Sequence, residues 1–291
     1  MLLEKFRNAV QENVSLAPFT WLQLGGTARW LAEPVDLEQL QGLVKAAAAD
    51  SIPVRILGGG SNVLVRESGF PGLVIQLTSP AFQSIQFEGN SVRCGGGAKL
   101  AHLITACVGH GLGGLEHLVG IPGTVGGALH GNSGTEEGDI GQFVHSAVLL
   151  RRDGQTKTVD ADALAFSHRR SSLDELVILE ATFALQPGDV RRLTKREQTF
   201  WILKRSRQPN HPVRSALAFV DPDGASAAEL LQQSGMIGTM EGSVQMNSTY
   251  PNYITAGTGA TSEQVLVLLE RVRSAVQQKT GVRLQPHLVV W

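Results

Sequence analysis

Two glycine-rich stretches in the first half of the chain constrain its fold more than any other feature: "LGGGSN" at Leu57 to Asn62 and "GIPGTVGGALHGNSG" at Gly120 to Gly134. Glycine has no Cβ, so successive backbone N–H groups can converge on an anion, and a nearby Ser or Asn adds a side-chain donor. Taken alone, each stretch reads either as an anion cradle or as a tight turn. Two such stretches in one half fit the two phosphates of a dinucleotide. The common nucleotide signatures are absent, since "GGGAKL" lacks both the spacing and the hydroxyl of a phosphate loop. Gly109, Gly111 and Gly114 form a GxGxxG, but it follows a helical pattern rather than a strand, which is the wrong context for a dinucleotide turn. No GxSxG elbow is present.

Periodicity supplies the frame around these stretches. "DLEQLQGLVKAAAAD" reads as a helix with Asp36 as N-cap, Gln39 at capping-box spacing, and Leu37, Leu40, Leu43 and Val44 on one face. "IPVRIL" and "GFPGLVIQL" read as strands, and "IQFEGNSVRCGGG" as a hairpin around Glu88-Gly89-Asn90. A second helix is expected from Ala98, with Leu100, Leu103, Ile104, Cys107 and Val108 on its apolar face, which makes Cys107 a packing residue. "SAVLLRRDGQTKTVD" predicts a hairpin with a type I′ turn at Asp153-Gly154, and "LVILEATFAL" a further strand. Residues 187–216 are polar and basic, a helix followed by a proline-rich crossing. After it come a short helix, "ASAAELLQQ", stopping at Gly235, and a long one opened by the box Thr261-x-x-Gln264 with Val265, Leu268, Leu269, Val272 and Val276 on one face. The mixed order predicts an α+β class in two or three lobes.

Composition removes several function classes. The 291 residues suffice for a real core and for one to three domains. A net charge of −1 with 18% charged residues gives no global field for nucleic acid or a membrane surface. Two cysteines without CxxC or HExxH give neither a disulfide framework nor a metal set. The opening "MLLEKFRNAVQENV" is too charged for a signal peptide, and no 18-residue apolar run follows. A cytoplasmic monomer without nucleic-acid, membrane or metal partners is expected.

The segments "TWLQLGGTARWL", "IPVRILGGGSNVLV", "GLEHLVGIPGTVGGALHGNSG" and "FSHRRSSL", then "RQPNHPVRSALAFVDP", "AAELLQQSGMIG", "NSTYPNYITAGTGAT" and "GVRLQPHL", occur in one order along nearly the whole chain. In that order they resemble the UDP-N-acetylenolpyruvoylglucosamine reductase family of peptidoglycan synthesis. The resemblance implies an α+β chain: a two-lobed FAD-binding unit of the vanillyl-alcohol-oxidase type (1–74 and 75–190), then an α+β substrate domain (191–291). It implies FAD and NADPH as cofactors and a UDP-sugar as substrate. Gly58, Gly59, Gly60, Ser61 and Asn62 fall at the FAD pyrophosphate. Gly120, Ile121, Gly123, Thr124, Gly126, Gly127 and Asn132 fall along the rest of the cofactor. In the family NADPH reduces the flavin, hydride passes to the enolpyruvyl β-carbon, and a serine hydroxyl protonates the α-carbon.

The chain departs from the family where the chemistry is concentrated. The family's Tyr-Arg pair reads His168-Arg169; Arg169, whose planar fork suits a carboxylate or enolate, is retained. The family's proton-donor serine falls on Leu217 in an ungapped match, and leucine has no proton to give. Ser215 is the nearest hydroxyl and would share a strand face with Leu217. The family's late glutamate reads His287, which can be cationic and donate a proton near neutral pH. The catalytic candidates are therefore Arg169, His287, His168 and Ser215. The sequence supports two readings: an active reductase, or a flavin-binding homologue that lacks the reaction or serves another substrate.

Overall fold

The structure is a computed structural model that describes residues 5–6, 8–209 and 214–291. Residues 210–213 of the proline-rich crossing lie outside the described residues. The chain divides into two compact units. Unit 1 takes the residues through Glu12, Trp30–Gly59 and Pro71–Lys204; unit 2 takes Asn13–Arg29, Gly60–Phe70 and Arg205–Trp291. The glycine stretch Leu57 to Asn62 thus carries the chain from unit 1 to unit 2 between Gly59 and Gly60.

Unit 1 is built around two apolar cores. In the first, helix α1 (Leu37–Ala49) buries Leu40, Leu43, Val44 and Ala47 with Leu73, Ile75 and Phe82. Asp36 caps α1 by accepting the Gln39 N–H at 2.8 Å, as the spacing predicts. The Gln39 side chain, however, takes the N–H of Val35 rather than that of the cap, so the reciprocal box is displaced by one residue. Strand Val54–Ile56 runs parallel to Phe70–Ile75, with Val54 opposite Leu73.

The second core lies against a five-stranded antiparallel sheet in the order Thr156–Asp160, Val144–Leu150, Val177–Ala184, Ser91–Gly95, Ile85–Glu88. Helix α2 (Leu100–Gly109) buries Leu103, Ile104 and Cys107 there. It starts two residues later than the apolar pattern predicts, because the Ala98 carbonyl is taken by the Val125 N–H. The Asp153-Gly154 turn is also corrected. Only Gly154 has a positive φ, 78°, and Arg151 pairs with Gln155, so the loop is the three-residue kind with a left-handed glycine, not type I′. The second glycine stretch is not all loop: residues Val125–His130 form helix α3, capped by the Thr124 hydroxyl on the Gly127 N–H. Helix α4 (Val190–Ser206) closes the unit in sequence.

Unit 2 has one core. Its four-stranded sheet runs Ser215–Leu217, Tyr253–Ala256, Val244–Met246, Met240–Glu241. Helix α5 (Ala227–Gln233) buries Ala227, Leu230 and Leu231 there, and Gly235 follows at φ 69°. Helix α6 (Ser262–Thr280) buries the predicted stripe and carries the predicted capping box in full. The last strand, Val289–Val290, pairs in parallel with Val63–Leu64. The segment just after the first glycine stretch is therefore held by the C-terminal end of the chain.

Candidate active site

The first glycine stretch presents a row of unused donors. Among the described residues, none of the backbone N–H groups of Gly58, Gly59, Gly60, Ser61 or Asn62 donates a hydrogen bond within the chain. The Asn62 Oδ1 atom is buried without a partner. Successive free N–H groups on a segment without side chains are the composition of an anion nest, and a buried orphan acceptor calls for a ligand donor or water. Both features fit a bound dinucleotide.

The glycines serve distinct purposes. A Cβ on Gly58 would come within 2.6 Å of the Thr124 hydroxyl oxygen, and one on Gly59 within 2.6 Å of the Gly123 Cα. Unit 1 thus brings the start of the first stretch, Gly58 and Gly59, directly onto the second. Gly60 alone of the three has left-handed backbone, φ 65°, with a Cβ there directed into the Phe19 carbonyl. Its own carbonyl accepts the Trp21 N–H at 3.0 Å.

In the second stretch Gly120 and Gly123 have φ of 81° and 115°, shapes that side chains resist. The N-terminus of α3 is not open to an anion. The Val125 and Gly126 N–H groups donate to the Ala98 and Gly96 carbonyls at 2.8 Å, and Gly127 donates to its cap. Ile121 donates to Leu118 at 3.1 Å. Gly96, one of the acceptors, sits in a tightly packed glycine run: at Gly95, Gly96 and Gly97 a Cβ would strike the carbonyls of Phe82, Ile178 and Leu77. Asn132, 1% exposed, is engaged at both ends of its side chain: Oδ1 accepts from the Gly141 N–H at 3.1 Å, and Nδ2 donates to the Ser167 carbonyl at 2.9 Å.

The catalytic candidates fall into two groups. In unit 1, His168 and Arg169 form the two-residue loop between strands Phe166–Ser167 and Arg170–Ser171, and Arg169 holds φ 58°. A left-handed non-glycine residue costs roughly 1 kcal/mol, and such strain collects at functional loops. In unit 2, Ser215 and Leu217 lie on the same strand, opposite Thr255 and Tyr253. The His287 N–H donates to the Ala218 carbonyl at 2.8 Å, which sets position 287 beside the residue that follows Leu217. The two positions where the chain departs from the family pattern within unit 2, Leu217 and His287, are therefore close together. Ser215 is 4% exposed.

Two side chains that sequence reading did not single out hold this strand. Arg214 donates from Nε and both terminal nitrogens to the Leu22, Gly257 and Gln23 carbonyls, each at 3.0 Å. Asn252 closes a two-way bridge to Phe219, accepting its N–H at 3.0 Å and donating to its carbonyl at 2.9 Å. Both act on backbone, which no short motif reports.

Residues 28–160 match the model of an FAD binding domain, and residues 208–291 match the UDP-N-acetylenolpyruvoylglucosamine reductase C-terminal domain. The chain is 46% identical over 288 residues to UDP-N-acetylenolpyruvoylglucosamine reductase of Rhodopirellula baltica, covering 99% of this chain and 94% of that protein. The chain belongs to the UDP-N-acetylenolpyruvoylglucosamine reductase family. A reductase of that name from Rubrobacter xylanophilus is 33% identical over 291 residues. The crystal structure of the family member from Thermus caldophilus superposes with a TM-score of 0.81 at 30% identity, covering 96% of this chain and 97% of that one. A 6-hydroxy-D-nicotine oxidase from Arthrobacter nicotinovorans shares the fold alone, with a TM-score of 0.55 at 13% identity. The fold is the expected one, an FAD-binding unit of the vanillyl-alcohol-oxidase type followed by the reductase C-terminal domain. The family is one of FAD-dependent oxidoreductases. No described helix is long and apolar enough to cross a membrane, and the described residues hold no metal-binding cluster.

Proposed function

We propose that this chain binds FAD and uses NADPH to reduce the enolpyruvyl ether of UDP-N-acetylglucosamine to UDP-N-acetylmuramate, in the cytoplasm and as a monomer. The observation that carries the reading is the 46% identity to a reductase of that name over 99% of the chain. The unused N–H row at Gly58 to Asn62 supports the cofactor part. FAD, when bound, supplies the two-electron relay between NADPH and the enolpyruvyl group.

The chain's own residues do the rest. The N–H groups of Gly58, Gly59, Gly60, Ser61 and Asn62 hold the pyrophosphate, and the segment from Gly120 to Thr124 lies along the remainder. The second domain, residues 191–291, carries the UDP-sugar. Arg169 offers paired donors to the carboxylate and to the enolate that develops from it, which is where fixed donors lower a barrier most. A group that protonates the α-carbon must come from elsewhere than Leu217. The candidates are Ser215, His168, His287 or an ordered water. Loss of a general acid typically costs about 10²–10⁴ in rate, so a substitute donor is part of the proposal.

The test is anaerobic mixing with NADPH and then with the enolpyruvyl substrate. Bleaching of the flavin band, its return on adding substrate, and formation of the muramate product are expected. Flavin that reduces but never reoxidises with this substrate would instead favour a flavoprotein with another substrate.

A further inference from the structure

Two non-glycine residues in this part of unit 1 have left-handed backbone, Asn132 at φ 40° and Arg169 at φ 58°. They are joined through one hydrogen bond. Asn132 Nδ2 donates at 2.9 Å to the carbonyl of Ser167, the last residue before the His168-Arg169 loop. The amide orientation is fixed by its partners, because the other end faces an N–H, that of Gly141. The Asn132 N–H is also used, on the Leu129 carbonyl at 3.1 Å. On the far side of the loop the Ser171 hydroxyl donates to the His130 carbonyl at 3.0 Å. Phe166 packs on Gly141, where a Cβ would meet its ring. The hairpin that presents Arg169 is thus fastened on both flanks to the end of α3, with Asn132 buried at the centre.

We infer that Asn132 is a positioning residue for Arg169, holding the loop in which that side chain is presented, and not a group that hydrogen-bonds the cofactor through its side chain. This rests on the reading of Arg169 as the group that meets the enolate. The reach of a side chain from a strained turn depends on the turn staying put, and a displacement of about 1 Å in a positioning group can cost about a hundredfold in rate.

The test uses the FAD-loaded full chain. Asn132→Asp keeps the acceptor toward Gly141 but sets an oxygen against the Ser167 carbonyl; Asn132→Gly, which tolerates the left-handed backbone, is the second variant. FAD dissociation constant and the rate of NADPH-driven flavin reduction should stay within about twofold, while single-turnover reoxidation by the enolpyruvyl substrate falls about ten- to a hundredfold. In the Arg169→Lys background the same change should cost little more, since the two act through one geometry. Amide hydrogen exchange at Phe166 to Ser171 should quicken while α2 stays protected. A raised FAD dissociation constant with normal reoxidation would make Asn132 a cofactor ligand and overturn the inference. So would unchanged exchange across the hairpin, or an equal fall in every step together with the melting temperature. A parent enzyme that never reoxidises with this substrate would sink the proposed function, and the exchange measurement would still decide the role of Asn132.

Discussion

Gly59 has ordinary backbone angles, and what bars a side chain there is the Gly123 Cα, 2.6 Å from where a Cβ would sit. The demand on Gly59 is therefore one of contact between two loops, whereas conformational freedom is needed one residue on, at Gly60. Gly59→Val should lose FAD, read as flavin absorbance per chain and by fluorescence titration, with overpacking costing about 1–3 kcal/mol of stability. Gly109→Ala is the contrasting substitution. Its Cβ meets nothing within 4 Å and its φ is not positive, so a gain of about 0.4–1 kcal/mol is expected with FAD affinity unchanged. At Arg169 the expected signature is a split. Arg169→Lys keeps the charge but loses the paired donors, so reoxidation by substrate should fall by about tenfold or more, as for lost oxyanion donors, while NADPH-driven flavin reduction holds. Stopped-flow traces of the two half-reactions check this.

Helix α6 shows how an element is pinned at one end. Thr261 and Gln264 close their box, and the Glu67 carboxylate adds hydrogen bonds to the Ser262 N–H, at 2.5 Å, and to the Ser262 hydroxyl. Desolvation pushes the Glu67 carboxyl up, but the hydrogen bonds from the Ser262 side chain and backbone, with those from the Glu67 and Glu263 N–H groups, outweigh it and leave its pKa lowered from 4.5. A lowered folded value means the stabilisation is whole above about pH 4.5 and drains away as pH falls through the folded value. Denaturant titrations should show Glu67→Gln flattening this acid limb, and Thr261→Ala lowering stability by about 1 kcal/mol at any pH. Elements of this kind were legible in the sequence because cap and stripe are local: the Thr261-Gln264 box and the face from Val265 to Val276. Where a distant partner decides, local reading failed. The Ala98 carbonyl is claimed by Val125, which delays α2. The Gly126-Gly127 pair, which reads as loop by composition, is helical in α3, whose first N–H groups, those of Val125, Gly126 and Gly127, are taken by the Ala98 and Gly96 carbonyls and the Thr124 hydroxyl.

At the scale of the whole molecule, unit 2 gathers residues 13–29 and 60–70 together with 205–291. Pairings such as Val63 with Val289 and the Arg214 bonds to Leu22 and Gln23 make this grouping, and nothing in the local sequence around any of them announces it. The residue types of the candidate site were readable; their support, through Asn252, Arg214 and Gly95 to Gly97, was not, because it consists of contacts to backbone. Both cysteines are buried, and desolvation pushes each thiol up to about 12, with Cys107 and Glu180 adding to the effect at Cys94. Native protein should resist maleimide at pH 8, with both thiols reacting once it is unfolded. Because the folded values lie above the unfolded value of about 9, the neutral thiols stabilise fully below that pH, and this contribution erodes as pH rises toward about 12. Single-turnover reoxidation of NADPH-reduced enzyme by the enolpyruvyl substrate, with and without Leu217→Ser, decides whether this chain is an active reductase. The parent should reoxidise and form the muramate product, with Leu217→Ser no faster because another group already gives the proton. A parent that stays reduced, whether or not serine is restored at 217, would contradict the reductase reading.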